Sequence, residues 1–418
     1  MSAVAGSGMA SRIVRRIDEL AAISASPEGL TRICFTPEHR RAADLLLSWM
    51  TGAGLSARMD AIGNVIGRYE GETPGLACLM LGSHFDTVRD AGRWDGPLGV
   101  ITALECVAEI ARSGRRLPFA LEVIGFADEE GVRFSSTLLG SRAVAGTFDE
   151  AILEARDAGD VTLRDAIEAF GLDPGAIGRA ARRRADIHAF VELHIEQGPV
   201  LEAAALPVGA VTAISGASRF LIALEGVAGH AGTVPMRLRR DALAAAAECI
   251  LAIERLCGGD PRLTGTVGQI IARPGAPNVI PGNVSFSADI RAADDELRET
   301  TVSAMTSAIG EIASRRELTA RITKTHANRT VRCAPWLRAQ IAEAIAVDGH
   351  PVLELPSGAG HDGMAMIDVT DIAMLFVRCR GGVSHHPDEH VAEEDVGAGA
   401  RVLLRFIENF RPQPKAPA

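Results

Sequence analysis

The first part of the chain alternates amphipathic stretches with short apolar runs. The stretch "HRRAADLLLSWMTGAG" has apolar residues at helical spacing and closes on glycine, which predicts an amphipathic helix, and "ARMDAIGNVIGRYEG" predicts a β-hairpin. The apolar runs "LACLMLGS" and "FALEVIGFAD" are typical of buried strands, and "GVITALECVAEIARSG" between them predicts a helix. Strand, helix and strand at this spacing predict a parallel βαβ unit, with catalytic loops where the strands end, at Gly82 and Asp128.

A different pattern extends from Ala217 to Thr325. Stretches of strand and helix type follow one another there in the order βαββαβ, which is ferredoxin-like: "RFLIALEGVAG", the helix from Asp241 to Leu256, "LTGTVGQIIARP", "NVSFSADIRA", the helix from Asp294 to Arg315, and "LTARITKT". The helix "WLRAQIAEAIAVDG" and the strand "DIAMLFVRC" then resume the α/β pattern. We therefore predict an α/β domain formed by residues 1–214 and 330–418 and interrupted by an inserted α+β domain, residues 215–329.

Composition narrows the class of protein. The 418 residues are enough for two or three domains, and 47% hydrophobic with 23% charged residues is ordinary for a globular chain. The formal net charge of -10 argues against nucleic acid and anionic membrane surfaces as partners. The seven cysteines are scattered and form no CxxC pair, so neither a thiolate zinc site nor a disulfide framework is indicated. The N-terminus lacks the apolar core of a signal peptide and no apolar run is long enough to span a membrane, so we expect a cytoplasmic protein.

Four short stretches collect histidine and acidic residues near predicted strand ends. They contain His84, Asp86 and Asp95; Asp128, Glu129 and Glu130; His194 and Glu196; and His385 and His386. Imidazole and carboxylate ligate zinc or manganese without any thiolate, and Asp86 is placed to orient the imidazole of His84. Each stretch alone is more often a surface turn, a solvated charge pair or a loop. Together, each after an apolar strand, they predict a metal site.

The chain resembles the amidase, hydantoinase/carbamoylase family of the di-metal aminoacylase-like peptidase clan. The matching motifs run in order over nearly the whole chain: "GSHFDTVRDAGRWDGPLGV", "FADEEGVRF", "LGSRAVAG", "VELHIEQGPVLE", "GVAGHAGTVPM", "ARPGAPNVIPG", "DIR", "SGAGHDGM" and "GVSHHPDEH". The resemblance implies a di-metal exopeptidase-like α/β catalytic domain with an inserted ferredoxin-like lid and dimerisation domain. It also implies a homodimer that forms through this inserted domain.

The resemblance assigns roles to individual residues. It implies two divalent metal ions, zinc or manganese with cobalt or nickel as alternatives: His84 and His194 hold one, Glu130 and His385 hold the other, and Asp95 bridges both. Glu129 matches the catalytic base. His230 matches a donor to the oxyanion, expected to reach the active site of the neighbouring subunit. The implied substrate-binding residues are Gln197, His230, Asn278, Arg291, Gly360 and His361.

The substrate implied by the resemblance is a small ureido acid. Candidates are allantoate (hydrolysed to ureidoglycine, ammonia and CO2), N-carbamoyl-L-amino acids, and N-carbamoyl-β-alanine, the substrate of β-ureidopropionase. The loop "DAGRWDG" resembles the form of this loop that is common in allantoate amidohydrolases, which favours allantoate. We expect Trp94 in this loop to affect the shape of the pocket.

Three other classes of protein are less favoured. The motif "HIEQGP" and the pair Asn278 and Arg291 argue against an aminoacylase or a dipeptidase. A non-catalytic relative would be expected to lack a ligand or the base, and all are present. The only hint of a dinucleotide site, "GSGMAS", follows no strand and so lacks the context of a phosphate loop.

Overall fold

The structure is a computed structural model that describes residues 2–413. It contains two compact units, one formed by Met1–Thr212, Cys333–Leu355 and Ala359–Ala418 and the other by Ala213–Arg332 and Pro356–Gly358. The predicted insertion, residues 215–329, falls within the span of the second unit.

The helices and strands are numbered here in chain order. As far as the insertion they are α1 (Ser2–Ala21), α2 (Pro37–Gly52), β1 (Ser56–Met59), β2 (Val65–Tyr69), β3 (Cys78–His84), α3 (Pro97–Arg112), β4 (Ala120–Phe126), α4 (Leu139–Ala145), α5 (Leu163–Ala169), β5 (Ile187–Ile195), α6 (Val200–Ala203) and β6 (Val208–Ile214). From there to Arg332 they are β7 (Gly216–Glu225), β8 (Gly229–His230), α7 (Ala242–Gly258), β9 (Leu263–Thr266), β10 (Ile270–Arg273), β11 (Val279–Ile280), β12 (Asn283–Ala292), α8 (Asp295–Arg315), β13 (Thr319–Asn328) and β14 (Val331–Arg332). After it come α9 (Pro335–Val347), β15 (Glu354–Ser357), α10 (Gly363–Met366), β16 (Ile372–Val377) and α11 (Glu393–Glu408).

The first unit is built on a mixed sheet in which the strands lie in the order β1-β2-β4-β3-β5-β16-β6. The four central strands β4, β3, β5 and β16 are parallel, whereas β1, β2 and β6 pair antiparallel to their neighbours. Strands β3, β4 and β16 are buried at every position, as expected for parallel strands covered on both faces. The predicted hairpin and the predicted parallel βαβ unit are therefore confirmed.

Helix α3 shows how this unit forms its core. Its sequence is apolar on nearly all sides, and a helix of that kind is stable only when it is buried. It packs on β3, β4 and β5 and also contacts helices α1 and α11. Apolar side chains such as Val100, Leu104 and Phe406 belong to the same buried cluster. The parallel sheet on which this cluster packs carries the candidate site.

The second unit has an antiparallel sheet in the order β10-β12-β7-β13, with β9 also paired to β12. Along β12, buried and half-buried residues alternate, and Phe286 and Ile290 belong to the apolar cluster that includes residues of α7 and α8. This βαββαβ arrangement confirms the ferredoxin-like prediction. One detail of the prediction is wrong: "LTGTVGQIIARP" forms two strands, β9 and β10, because the chain leaves the ladder at residues 267–269, where Gln269 N donates to Ser287 Oγ at 3.1 Å.

None of the helices in the described part of the chain combines the length and the apolarity that crossing a membrane requires.

Candidate metal centre

The central strands of the first unit end beside one another. His84 is the last residue of β3, His194 is the penultimate residue of β5, and Glu130 follows the end of β4. Asp95 lies in the loop from β3 to α3, and His385 lies in the segment after β16. Since parallel strands carry their carboxyl ends at the same edge of a sheet, these five side chains converge there.

Asp95 is the common member of two groups of possible ligands. Its Oδ1 lies 3.2 Å from His84 Nε2 and 3.1 Å from His194 Nε2. Its Oδ2 lies 3.3 Å from His385 Nε2, which is 3.4 Å from Glu130 Oε1. Within each group the donor atoms lie within 4.8 Å of one another. One carboxylate therefore faces two adjacent positions for a cation, one at each oxygen.

The imidazoles are oriented as metal ligands are. His84 Nδ1 lies 3.1 Å from the backbone oxygen of Asp86, and His194 Nδ1 lies 2.9 Å from that of Ile195. A carbonyl oxygen only accepts, so in the neutral rings Nδ1 carries the proton and Nε2 presents its lone pair to Asp95. His194 Nε2 is buried without a hydrogen bond. Two lone pairs directed at one carboxylate oxygen repel each other unless a cation lies between them, so the residues fit a metal ion.

The electrostatics of the cluster also favour positive charge at this place. Without a bound cation, burial lowers the pKa of His84, but the hydrogen bonds that the protonated ring donates to Asp86 and Asp95 outweigh it and raise the pKa well above the usual range. Burial opposes ionisation of Asp95, yet the adjacent His194 holds the pKa of that carboxyl well below its usual range. The hydrogen bond to Asp95 raises the pKa of His385 to about 9.

Glycine is required where the loop approaches His84. Gly96 has a φ of 76°, and a Cβ there would lie 2.5 Å from His84 Cε1. Non-glycine residues with positive φ also adjoin the cluster, namely Asp128 at 56°, Gln197 at 58° and His385 at 55°. Such backbone is costly and concentrates at functional sites, so the strain here agrees with a site held for chemistry.

Glu129 and Glu130 are held together by Asp86. The carboxylate of Asp86 accepts from Glu129 N at 3.1 Å and from Glu130 N at 3.3 Å, in addition to lying 3.5 Å from His84 Nδ1. Asp86 thus orients the two glutamates as well as His84. Burial, with a further contribution from Asp95, raises the pKa of Glu130 to about 7. Burial likewise raises the pKa of Glu129 well above its usual range, although the charge of His84 opposes it.

Three further predicted residues lie around this cluster. Gln197 Nε2 donates to Asp95 Oδ2 at 2.6 Å and to Ser384 Oγ at 3.1 Å. A Cβ on Gly360 would lie 3.7 Å from Glu129 Oε1, which places this glycine beside the glutamate. His361 is only 1% exposed, and its ring meets that of His194 edge-on at 4.5 Å between centroids. His361 therefore lies behind His194 rather than on an open surface.

The remaining predicted residues belong to the second unit. His230 in β8 pairs with Val279 in β11, and Ala231 N donates to Asn278 O at 2.9 Å, so His230 and Asn278 lie on adjacent segments. Arg291, near the end of β12, forms a two-point contact with Asp289.

Two residues beside predicted ligands have side chains that are engaged elsewhere. Glu196, grouped with His194 in the sequence, instead accepts from Val200 N and Leu201 N at the start of α6, at 2.7 and 2.9 Å. Trp94 is 1% exposed and belongs to the hydrophobic core, so its expected effect on the shape of the pocket would act through the packing of the loop. The side chain of His386, the residue next to His385 in the same motif, is 59% exposed to solvent.

Two buried glutamates near the cluster, Glu192 and Glu389, were not among the residues predicted from the sequence. Glu192 accepts from Ser83 Oγ at 2.6 Å, and it forms a third possible ligand group with His194 and His361. Glu192 lies two residues before His194 in β5. Alternate residues of a strand lie on the same face, so this spacing could have indicated that Glu192 lies beside His194. Glu389 accepts from the backbone of Trp94 and Asp95. Nothing in the spacing of the chain indicated that contact.

The chain is similar to known proteins over nearly its whole length. The sequence matches the model of peptidase family M20/M25/M40 over residues 80–409. It is 42% identical to an N-carbamoyl-L-amino acid amidohydrolase of Geobacillus stearothermophilus, over 95% of this chain and 97% of that protein. It is 40% identical to a probable allantoate deiminase of Oryza sativa subsp. japonica, over 96% of this chain and 90% of that protein.

A solved structure shows the same fold at similar coverage. The crystal structure of an amidase of the hydantoinase/carbamoylase family from Burkholderia multivorans superposes with a TM-score of 0.89 at 32% identity, covering 95% of this chain and 97% of that one. The cluster of histidines and carboxylates at the edge of the sheet, the family match and these relatives lead to one conclusion. The chain belongs to peptidase family M20/M25/M40, among its hydantoinase/carbamoylase amidases, and is a hydrolase of amide-type C–N bonds.

Proposed function

We propose that this protein is a two-metal hydrolase of the ureido C–N bond of a small carboxylate substrate, with allantoate as the substrate. The observation that carries the proposal is the pair of ligand groups sharing Asp95, with Glu129 beside them. Relatives named for allantoate and for N-carbamoyl-L-amino acids match the chain almost equally well, which supports a ureido acid.

We assign the metal positions from the two ligand groups. His84 and His194 would hold one ion with Asp95 Oδ1, and Glu130 and His385 would hold the other with Asp95 Oδ2. Imidazole and carboxylate suit zinc or manganese, and cobalt or nickel can also bind such a site. Bound ions supply Lewis acidity to the substrate carbonyl and lower the pKa of the attacking water.

Glu129 is the residue placed to move protons. One of its carboxylate oxygens belongs to a group with donor atoms of His84 and Glu130, all within 4.8 Å. As a base, Glu129 takes a proton from the attacking water and passes it to the leaving nitrogen. Burial raises the pKa of Glu129, which makes its carboxylate a stronger base and suits it to the first of these two steps.

His230 is a hydrogen-bond donor of defined tautomer. Gly232 N donates to His230 Nδ1 at 3.1 Å, so Nδ1 acts as an acceptor and the neutral ring carries its proton on Nε2. The side chain is exposed, which leaves that N–H able to reach a ligand. Directed at the carbonyl oxygen of the substrate, it would stabilise the developing negative charge.

Arg291 is arranged to bind one carboxylate. Nε and Nη2 donate to Asp289 at 3.0 and 2.8 Å, and Nη1 donates to Gly358 O at 2.6 Å. A guanidinium has five N–H groups, so one on each terminal nitrogen stays available, as a forked contact with a carboxylate requires. Arg291 lines a cavity of about 520 Å³ in the second unit, with Arg219 and Ser287 on its walls. We propose that this cavity and Asn278 receive the acid group of the substrate.

A panel of substrates tests the proposed reaction. The manganese-loaded enzyme is offered allantoate, an N-carbamoyl-L-amino acid, N-carbamoyl-β-alanine, the matching N-acetyl-L-amino acid and a dipeptide, and product formation is measured for each. We expect the highest kcat/KM on allantoate. A preference for one of the other carbamoyl compounds would replace allantoate but keep the ureido chemistry, whereas faster hydrolysis of the acetyl compound or the dipeptide would contradict it.

We also propose that the protein is a homodimer formed through the second unit. Strand β10 lies at the edge of its sheet, and Ile270 and Ile271 on it are 47% and 52% exposed. An edge strand with exposed apolar side chains can pair with another strand, here that of a second copy.

A subunit-mixing experiment tests whether His230 acts across this dimer. We expect His230→Ala to lower kcat by about 10²–10³-fold, the usual effect of removing one oxyanion donor, without loss of metal. Mixed with inactive Glu129→Gln subunits under exchange conditions, it should regain activity, because one site of each hybrid dimer then has both residues. Hybrids no more active than the separate variants would show that His230 acts within its own subunit.

A further inference from the structure

Glu389 holds the backbone that carries the shared ligand. Its Oε1 accepts from Trp94 N at 2.7 Å and from Asp95 N at 3.1 Å. The residue is 4% exposed, so both hydrogen bonds are shielded from water and neither N–H group has a solvent alternative. The direction of the Asp95 side chain thus depends on a residue 294 positions further along the chain.

The other oxygen of Glu389 reaches the segment that carries His385. Oε2 lies 3.2 Å from Ser384 Oγ, and Ser384 Oγ donates to Asp95 Oδ2 at 2.6 Å. Glu389 itself follows His385 by four residues in the same segment. One side chain therefore contacts the backbone of the Asp95 loop and the residue next to His385.

The Asp95 loop is packed directly on this glutamate. A Cβ on Gly92 would lie 2.2 Å from Glu389 Cβ, a distance at which something must move. The close approach at Gly92 and the hydrogen bonds at Trp94 and Asp95 hold the loop at both ends of a four-residue stretch. Glu389 therefore contacts the Asp95 loop through close packing at Gly92 as well as through its hydrogen bonds to Trp94 and Asp95.

We propose that Glu389 is a positioning residue that clamps the Asp95 loop to the His385 segment and so sets the spacing between the two metal positions. This inference rests on the proposed two-metal site but not on any choice of substrate. Glu389 acts through Asp95 and Ser384, since its carboxylate oxygens are engaged by Trp94, Asp95 and Ser384. Residues that orient metal ligands in this way commonly contribute about 10–100-fold to metal affinity.

Two conservative variants separate the length of the side chain from its charge. Glu389→Gln keeps an acceptor oxygen at the same reach, so both backbone N–H groups stay satisfied. Glu389→Asp keeps the charge but is one methylene shorter, so it cannot reach Trp94 N and Asp95 N from the same position. The clamp therefore predicts a severe effect for aspartate and a mild one for glutamine.

The test is titration of the chelator-treated full-length protein with Mn²⁺, followed by calorimetry and by the EPR spectrum of the loaded protein. We expect Glu389→Asp to bind Mn²⁺ about 10–100-fold more weakly and to lose the spin-coupled signal of a manganese pair, and Glu389→Gln to stay near wild type. Thermal unfolding before metal addition verifies that each variant is folded. Wild-type affinity and coupling in Glu389→Asp, or an equal loss in both variants, would overturn the clamp. If the wild-type protein itself binds no manganese pair, the two-metal proposal fails instead.

Discussion

Replacing Glu129 with glutamine should lower kcat by about 10²–10⁴-fold while leaving the bound metal unchanged. Glutamine has nearly the same size but cannot accept a proton from water or return one to the leaving nitrogen. The fold around it should persist, because Asp86 holds residue 129 through its backbone N–H at 3.1 Å. The metal should persist because neither of the ligand groups that share Asp95 includes Glu129.

The measurement is kcat on the best substrate of the panel, together with metal content per subunit. Glu28→Gln is the matched control, since Glu28 is exposed and the same change there should leave both quantities unaltered. If Glu129→Gln turned over at a rate near that of wild type, Glu129 would not be the base, and the nearby Glu192 would be the next residue to test.

Replacing Asp95 with asparagine should abolish activity by removing metal from both positions. Each oxygen of Asp95 faces a different ligand group, with Oδ1 beside His84 and His194 and Oδ2 beside His385. An asparagine retains one oxygen, and its amide nitrogen has no lone pair suited to a metal. The remaining imidazoles would then face a neutral side chain, which lacks the negative charge that stabilises two adjacent cations.

Elemental analysis after dialysis against manganese measures the outcome, with activity recorded on the same samples. We expect the metal content per subunit to fall below that of wild type, because both positions lose metal, and we expect no activity above background. Asp90→Asn lies in the same loop at an exposed position and provides the control for loss of a carboxylate. A variant Asp95→Asn that retained a full complement of metal would contradict the assignment of Asp95 as the shared ligand.

The parallel strands of the sheet, and the edge at which their carboxyl ends lie, could be predicted from the local pattern of apolar residues. Strands β3 and β4 are continuous apolar runs, α3 between them is apolar on nearly all sides, and the carboxyl ends of the two strands carry the histidine and carboxylates. Because connections of this type place consecutive strands parallel, the edge where His84 and Glu130 would meet followed from sequence. The ferredoxin-like order of the second unit followed from the same alternation of periods.

Other side chains could not be placed by pattern. Glu196 has the same spacing from His194 as a ligand could have, but its carboxylate satisfies the first N–H groups of α6. Trp94 adjoins Asp95 in sequence, yet its ring is buried in the core. Neighbouring residues on a loop point in different directions, and the direction is decided by what packs against each of them.

The class of fold, the edge of the sheet that carries the chemistry and the kinds of side chain present there could be predicted from the sequence, because strand and helix periodicity act over short distances along the chain. The three-dimensional structure was needed to show that Asp95 faces both ligand groups, that Asp86 orients the two glutamates, and that Glu389 holds the Asp95 loop. These relations join residues distant in sequence through hydrogen bonds and close packing. Their geometry exists only when the whole sheet and its loops are assembled.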